Sequence, residues 1–174
     1  MIKLANFSEE DFPQLIEWIS SPELCFQWSG LSFTYPLTNE QLAQYIEHAN
    51  ELNAKKFVFK AIDRATEEVV GHISIAIDAN DCARIGKVFI TPNTRGKGYG
   101  KQLMNGILAF IFDELQLHKA SLGVFDFNET AYNCYINVGF VHEGMLREGR
   151  KLGDQYFNLI EMGILRSEWE RKAL

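Results

Sequence analysis

A short stretch at residues 88–101 combines three features that together favour the binding of a phosphate group. Three alternating glycines allow the backbone to turn sharply and to leave its N–H groups uncovered, and three cations stand among them. These residues are Gly96, Gly98 and Gly100, with Arg95, Lys97 and Lys101. The residues that follow have helical spacing, so the loop ends at a helix N-terminus, which is the positive end of the helix dipole. We therefore expect the loop to hold an anion, and specifically a pyrophosphate.

A second group of candidate residues lies at 128–140, and its spacing fits one face of a helix. Asn128, Ala131 and Tyr135 share this face because seven residues span nearly two helical turns. The face carries an amide, a methyl group and a phenol, so a thin ligand could pass beside the small side chain of Ala131. The alternative interpretation is purely structural, with Asn128 as a helix N-cap and Tyr135 as an ordinary core tyrosine.

The glycine-rich loop differs from two familiar nucleotide-binding fingerprints. A Walker A loop requires G-x-x-x-x-G-K-[ST], whereas Gln102 follows Gly100 and Lys101 in this chain. The dinucleotide fingerprint requires G-x-G-x-x-G, and the third glycine here comes one residue early. The sequence therefore predicts a phosphate-binding loop of another kind.

The elements that must position these groups follow from hydrophobic periodicity and from turn residues. Strands are predicted at residues 2–4, 57–63, 69–77, 83–90, 119–124 and 156–165, with one more beginning at residue 140. Helices are predicted after Ser8, after Thr38, from about Gly100 and over residues 128–137. Along the strand at 69–77, the residue types alternate so that one face is apolar and the other polar. The last residues, 166–174, are predicted to form a short polar tail.

An aromatic segment at residues 23–37 is predicted to be irregular, because Ser21 and Pro22 end the first helix. Irregular segments are usually exposed and polar, so these rings are expected to cover something. Two interpretations are compatible with each other. The segment packs on the core, or it forms one wall of a substrate pocket.

The size and composition of the chain limit the possible classes of protein. A length of 174 residues and a hydrophobic fraction of 47% favour a single globular domain over residues 1–174. A net charge of −6 argues against nucleic-acid binding. Neither a signal peptide nor a run of ~20 apolar residues is visible, so no membrane association is expected. Three cysteines without metal-ligand spacing favour reduced thiols in a cytoplasmic protein and predict no metal site.

Taken together, the two groups resemble the motifs of the GNAT superfamily of acyl-CoA N-acetyltransferases. The resemblance rests on a strand, P-x-x-R-G-K-G-Y-G, a helix, a strand and N-x-x-A-x-x-x-Y-x-x-x-G-F, and it extends from about Val69 to Leu165. The chain looks most similar to the branch with ribosomal-protein N-terminal acetyltransferases and spermidine acetyltransferases. This implies an α/β (α+β) fold, in which a mixed, mostly antiparallel sheet has helices on both faces and a central β-α-β crossover.

The resemblance also implies a role for each matching residue in binding acetyl-CoA, the acetyl donor. Main-chain groups of one strand would bond the pantetheine arm, where a bulge in the family splays this strand from the next. The loop would hold the pyrophosphate through main-chain N–H groups, and Asn128 would hold the pantetheine. Tyr135 would lie beside the thioester sulfur and protonate the leaving thiolate. The implied cofactor-binding residues are Val88, Phe89, Ile90, Arg95, Gly96, Lys97, Gly98, Tyr99, Gly100, Lys101 and Asn128.

The sequence leaves the general base open. Many relatives carry a glutamate on the strand that enters the loop, whereas residues 84–88 include no carboxylate here. An alkylamine of pKa near ~10.4 must lose a proton before it attacks, which costs about 4–5 kcal/mol at pH 7. His72, Asp78, Asp126 or a relay of water molecules could accept that proton.

The predicted reaction is transfer of an acetyl group to a primary amine by direct attack in a ternary complex. The acceptor stays open between the N-terminal amine of a protein or peptide, a polyamine, an amino sugar and another small amine. The missing glutamate weakens the polyamine interpretation, because polyamine sites in the family use several carboxylates. A homodimer through the C-terminal strands is common in the family. The alternative function is a non-catalytic acyl-CoA-binding module or sensor.

Overall fold

A computed structural model describes residues 1–172 and contains one seven-stranded sheet with strand order β1-β2-β3-β4-β5-β7-β6. The strands are β1 (Ile2–Asn6), β2 (Lys56–Asp63), β3 (Val69–Ile77), β4 (Cys82–Ile90), β5 (Lys119–Phe125), β6 (Val141–Leu152) and β7 (Gln155–Leu165). Neighbouring strands are antiparallel except β4 and β5, which are parallel. The predicted mixed and mostly antiparallel sheet is therefore confirmed.

Helices cover both faces of the sheet, as expected. They are α1 (Phe12–Trp18), α2 (Pro22–Ser29), α3 (Asn39–Ile46), α4 (Tyr99–Ala109), α5 (Glu129–Val138) and α6 (Arg166–Lys172). On one face α4 and α5 pack over the larger hydrophobic core, and on the other α1, α2 and α3 enclose a second, aromatic-rich core. The crossover β4-α4-β5 contains the one parallel strand pair within residues 1–172.

The strands β4 and β5 pair only at one end and then separate. Their ladder joins Cys82–Arg84 to Lys119–Ser121 and goes no further. On the opposite edge of β4 a bulge interrupts the pairing with β3, because Ile73 faces both Lys87 and Val88. Lys87 has a φ of 52°, a left-handed conformation that is uncommon for a residue with a side chain. The result is a V-shaped opening in the middle of the sheet.

The prediction of an irregular segment at residues 23–37 is wrong for residues 23–29, which belong to helix α2. The hydroxyl of Ser21 accepts a hydrogen bond from the Leu24 N–H at 3.1 Å and so caps the helix. Pro22 occupies the first helical turn, where no N–H is needed. The Ser-Pro pair therefore begins a second helix as well as ending the first. The rings of Phe26 and Trp28 are buried by this helix.

The predicted polar tail is also wrong for residues 166–172, which form helix α6. The Trp169 indole packs on Phe112 with ring centroids 6.1 Å apart, and its Nε1 donates to Asp113 at 3.2 Å. The carboxylate of Glu168 accepts from the Leu165 N–H at 2.8 Å. These contacts hold a segment whose composition alone suggests a solvated end. Positions 173–174 of the predicted tail lie outside the described residues.

Candidate active site

The opening between β4 and β5 forms a cleft of about 760 Å³ that gathers nearly all of the predicted site residues. Its wall includes Val88, Phe89, Ile90, Arg95, Gly96, Gly98, Tyr99, Gly100, Lys101, Asn128 and Tyr135. Lys97 does not line the cleft and is exposed on the loop. Residues of α2 line the cleft as well, so the aromatic segment both packs on the core and forms a pocket wall.

The glycine loop presents uncovered N–H groups at the start of α4. Gly96 and Gly98 have φ values of 76° and 79°, and a Cβ built on either would meet no atom within 4 Å. Gly98 is the N-cap of α4. Within the described chain, no hydrogen bond occupies the N–H groups of residues 96–101. Open space, free donors and a helix start fit a pyrophosphate group.

The side chain of Tyr99 anchors the glycine loop to the end of β2. Its hydroxyl donates a hydrogen bond to Asp63 at the end of β2. This bond raises the pKa of the Tyr99 phenol and lowers the pKa of the Asp63 carboxyl. Asp63 also accepts from the Ala65 N–H at 2.9 Å, so it is fixed on both sides. Tyr99 therefore leaves only its main-chain N–H for a ligand, and Asp63 is a supporting residue that sequence reasoning missed.

Tyr135 offers a free hydroxyl to the cleft. The residue is 8% exposed, its hydroxyl has no hydrogen-bond partner within residues 1–172, and the oxygen is not sealed from solvent. Burial and the adjacent Cys134 thiol raise its pKa well above the usual value for a phenol. Asn128 caps the same helix by accepting from the Ala131 N–H at 3.3 Å. The predicted face of amide, methyl and phenol thus lines the cleft, with the phenol protonated at neutral pH.

His72 supports the bulge in β4 and is not placed to act as a base. Its Nδ1 and the Nε1 of Trp28 both lie 2.9 Å from the carbonyl oxygen of Lys87. Because a carbonyl only accepts, His72 Nδ1 carries the proton. The ring is fully buried, and this burial lowers the pKa of His72 to about 4. On the polar face of β3, His72 and Ser74 are therefore buried and closed to a substrate, whereas Ala76 and, just after the strand, Asp78 are exposed.

Two other base candidates also lie away from the cleft. Asp78 accepts main-chain hydrogen bonds from Asn80 and Cys82, at 2.8 and 3.2 Å, in the turn between β3 and β4. Asp126 accepts from the Asn158 amide at 2.8 Å. Among the described residues, no aspartate or glutamate lines the cleft.

Two glycines that sequence reasoning missed allow close approaches around the cleft. A Cβ on Gly71 would lie 2.6 Å from the carbonyl oxygen of Phe89. A residue with a side chain at position 71 of β3 would therefore clash with β4. A Cβ on Gly123 would lie 2.8 Å from Nη2 of Arg84, which crosses β5 to form an ion pair with Glu161. Glycine inside a strand is the available signal for such an approach.

Comparison with known proteins agrees with this geometry. Residues 2–141 match the sequence profile of the Acetyltransferase (GNAT) domain. A spermidine N(1)-acetyltransferase of Vibrio cholerae is 31% identical over 131 residues, which are 74% of this chain and 73% of that protein. An uncharacterised N-acetyltransferase of the Bacillus subtilis SPbeta prophage is 28% identical over 144 residues, covering 80% and 77% of the two chains.

Solved structures share the fold over almost the whole chain. The crystal structure of the Vibrio cholerae spermidine N-acetyltransferase with CoA and spermine superposes with a TM-score of 0.83 at 24% identity. The superposition covers 97% of this chain and 98% of that one. Within residues 1–172, no helix is long and apolar enough to cross a membrane. The matches support no non-catalytic alternative, and the chain belongs to the GNAT acetyltransferase family as an acetyl-CoA-dependent N-acetyltransferase.

Proposed function

We propose that this enzyme acetylates the primary amine of a small molecule, with donor and acceptor bound together in the cleft and the amine attacking directly. One observation carries the proposal. A single cleft contains both a phosphate-binding loop and an unbonded tyrosine hydroxyl, and its wall continues beyond them to α2 and Arg150. The spermidine N(1)-acetyltransferase named above acts on a small amine, which supports an acceptor of this size class.

The cleft offers a complementary group for each part of acetyl-CoA, which supplies an acetyl group activated as a thioester. Within residues 1–172, the main chain of β4 lacks a partner strand on the β5 side after Arg84, so Val88–Ile90 would bond the pantetheine arm. Residues 95–101 would hold the pyrophosphate through N–H groups, each bond to a charged group contributing ~1.5–3 kcal/mol. The amide of Asn128 would hold the pantetheine from the start of α5.

Tyr135 would protonate the leaving thiolate, and water would take the proton from the amine. The raised pKa keeps the Tyr135 phenol protonated, so its main contribution is a hydrogen bond to the charge that develops on sulfur. Because none of His72, Asp78 and Asp126 lines the cleft, a water relay is the favoured route for the amine proton.

We propose that residues 1–174 act as one catalytic domain, since the described strands form a single sheet. The three cysteines are free thiols, as is usual in cytoplasmic proteins, which supports a cytoplasmic location. A homodimer through the C-terminal strands stays a prediction. Exposed apolar side chains on the edge strand β6, at Val141, Met145 and Leu146, support it, and light scattering would test it.

The variant Tyr135→Phe tests the catalytic proposal. We expect kcat with a reactive amine to fall about 100-fold, because Phe cannot donate the hydrogen bond to the charge that develops on sulfur, and loss of one such donor costs about 100- to 1,000-fold. Calorimetric affinity for acetyl-CoA should change by less than about threefold, since Phe fills the same volume. Thiol release measures the first quantity, and Tyr132→Phe on the outer part of α5 is the matched control. Equal losses of turnover and affinity would contradict the acid role.

A further inference from the structure

The cleft is lined by several cations and by no carboxylate within the described residues, and this limits the amines that it can accept. The cations are Arg84, Lys87, Arg95, Lys101 and Arg150. An acceptor amine must enter this surface, and its own ammonium group is repelled by like charges. The positive charge of the cleft wall therefore limits the charge that the acceptor molecule can carry.

Three of the five cations already have a partner or a role. Nη2 of Arg84 lies 2.9 Å from a carboxylate oxygen of Glu161, which neutralises it. Arg95 and Lys101 belong to the loop that would hold the pyrophosphate. Lys87 and Arg150 remain.

Lys87 is a half-buried cation without a carboxylate within 4.0 Å in the part of the chain that is described. Its Nζ lies 5.1 Å from the ring centroid of Tyr45 and 5.7 Å from that of Phe33. Burial and the charge of Lys56 lower its pKa. Aromatic faces compensate such a cation only in part, and a desolvated charge is more stable beside an opposite one. The counter-charge that Lys87 lacks would come with a ligand.

Arg150 lies where the main cleft joins a neighbouring one. It lines both, as do Ser29, Gly30 and Ser32, so the two clefts are adjacent. The neighbouring cleft has about 550 Å³ and includes residues 148–151 of β6, which begin in the irregular pairing between Leu146 and Arg150. Its one carboxylate within the described residues, Glu148, is exposed and outnumbered by Arg150 and Lys151.

The guanidinium of Arg150 is largely free. Within residues 1–172 its single hydrogen bond runs from Nη1 to the carbonyl oxygen of Gly149 at 2.7 Å. A guanidinium binds carboxylate and phosphate groups through paired N–H donors. Lys87 and Arg150 both line the main cleft, which therefore offers two cations that could hold an anion.

We propose that the acceptor is a primary amine that also carries a carboxylate or a phosphate, and that Lys87 and Arg150 bind this acidic group. The proposal rests on the proposed acetylation of a small amine and specifies its substrate class. It separates this chain from an enzyme for polyamines, whose several positive charges would be repelled by Lys87 and Arg150.

A matched series of amines tests the substrate class. The probes are ω-amino acids, ω-aminoalkyl phosphates, plain alkylamines of two to six carbons, and spermidine, each assayed by CoA release with acetyl-CoA. We expect kcat/KM for an acidic amine to exceed that of the alkylamine of equal length by about tenfold or more. The carboxylate and phosphate arms identify which anion is preferred. Spermidine should be the poorest acceptor.

Two variants test the assigned residues. Lys87→Met and Arg150→Met should each raise KM for the best acidic amine by about tenfold or more while leaving its neutral analogue within about twofold. The matched control is Lys3→Met, which removes a cation on β1 that pairs with Glu67 at the surface. It should change KM neither for the acidic amine nor for the neutral analogue. Calorimetric titration of the acidic amine in the presence of CoA should show the same loss of affinity without any turnover.

The outcomes separate the two proposals. If no amine releases CoA above background, acetylation of a small amine fails, and the acidic acceptor fails with it. If spermidine or the neutral alkylamines are turned over as well as the acidic ones, only the acidic acceptor is overturned. Preserved affinity for the acidic amine in both variants would also overturn it.

Discussion

At the scale of single residues, the candidate site depends on buried side chains that hold the backbone of β4 in shape. Trp28 and His72 donate to the same carbonyl of Lys87 and so hold the bulge that opens β4. His72 achieves this as a neutral ring, and Nε2 has no partner within the described chain. A polar residue that looks catalytic in the sequence is thus structural, whereas Tyr135 keeps its hydroxyl free.

The buried neutral ring of His72 predicts a pH-dependent stability. Its folded pKa of about 4 lies below the unfolded value of ~6.5, so the unfolded chain binds more protons as the pH falls. This contribution is present above pH 6.5 and is lost between pH 6.5 and 4, by about 2 kcal/mol from pH 7 to pH 5. Urea unfolding of wild type and His72→Gln at both pH values should therefore show a smaller pH effect in the variant.

The matched control for this measurement is His118→Gln, which changes an exposed histidine. It should keep the pH dependence of the wild type. Parallel pH profiles for wild type and His72→Gln would mean that His72 is not buried as a neutral ring.

At the scale of elements, the glycine loop and α4 form one unit, in which the backbone conformation determines the directions of the main-chain N–H groups. Gly98 caps α4 in the left-handed region, and Tyr99 anchors the next residue to Asp63. The N–H groups are therefore held in a fixed turn before acetyl-CoA binds. This lowers the entropic cost of ordering the loop on binding.

The variant Gly98→Ala should weaken donor binding. An L-residue in the left-handed region costs ~1–2 kcal/mol, and relief of that strain would turn the N–H groups away. We expect the Kd for acetyl-CoA, measured by calorimetry, to rise about tenfold. Gly153→Ala is the matched control, because Gly153 has a φ of 58° and equally open space but lies in the β6–β7 hairpin. Similar donor affinities in the two variants would contradict the role of the loop.

At the scale of the whole molecule, the sheet is divided into two halves that meet at a short seam. In the described part of the chain, the ladder between β4 and β5 joins Cys82–Arg84 to Lys119–Ser121, and the ion pair of Arg84 with Glu161 spans the same region. A donor held by β4, the loop and α5 would bridge the halves beyond that seam. Donor binding and global stability should therefore be coupled.

Acetyl-CoA should raise the melting temperature of the protein. At a free concentration 100 times its Kd, a ligand specific for the folded state adds ~2.7 kcal/mol. For a domain of this size, that corresponds to about 5–11 °C. Differential scanning fluorimetry measures the shift, and Gly98→Ala at the same ligand concentration should show a smaller one. An unchanged melting temperature would contradict donor binding to the folded enzyme.

The local signals in the sequence were sufficient for most of the secondary structure, for the fold class and for the two groups of residues that line the cleft. Alternating strands, the caps at Thr38 and Asn128 and the glycine loop are encoded by neighbouring residues, because backbone conformation depends mainly on them. The errors in secondary structure lie where a contact between residues far apart in the chain determines the local conformation. The end of the chain is helical because Trp169 reaches Phe112 and Asp113. The Ser21-Pro22 pair signals either a helix end or a helix start, and burial of Phe26 and Trp28 favours the start.

By itself, the sequence determined the fold class, the acetyl donor and the helix that presents Tyr135, since each depends on a motif of adjacent or helically spaced residues. Only the tertiary structure decided that His72 is buried, that Lys87 lies over two aromatic rings without a carboxylate partner among residues 1–172, and that Arg150 lines the same cleft. These properties are set by residues far apart in the chain that the sheet brings together. Burial and charge compensation depend on that assembly, and no local pattern encodes them.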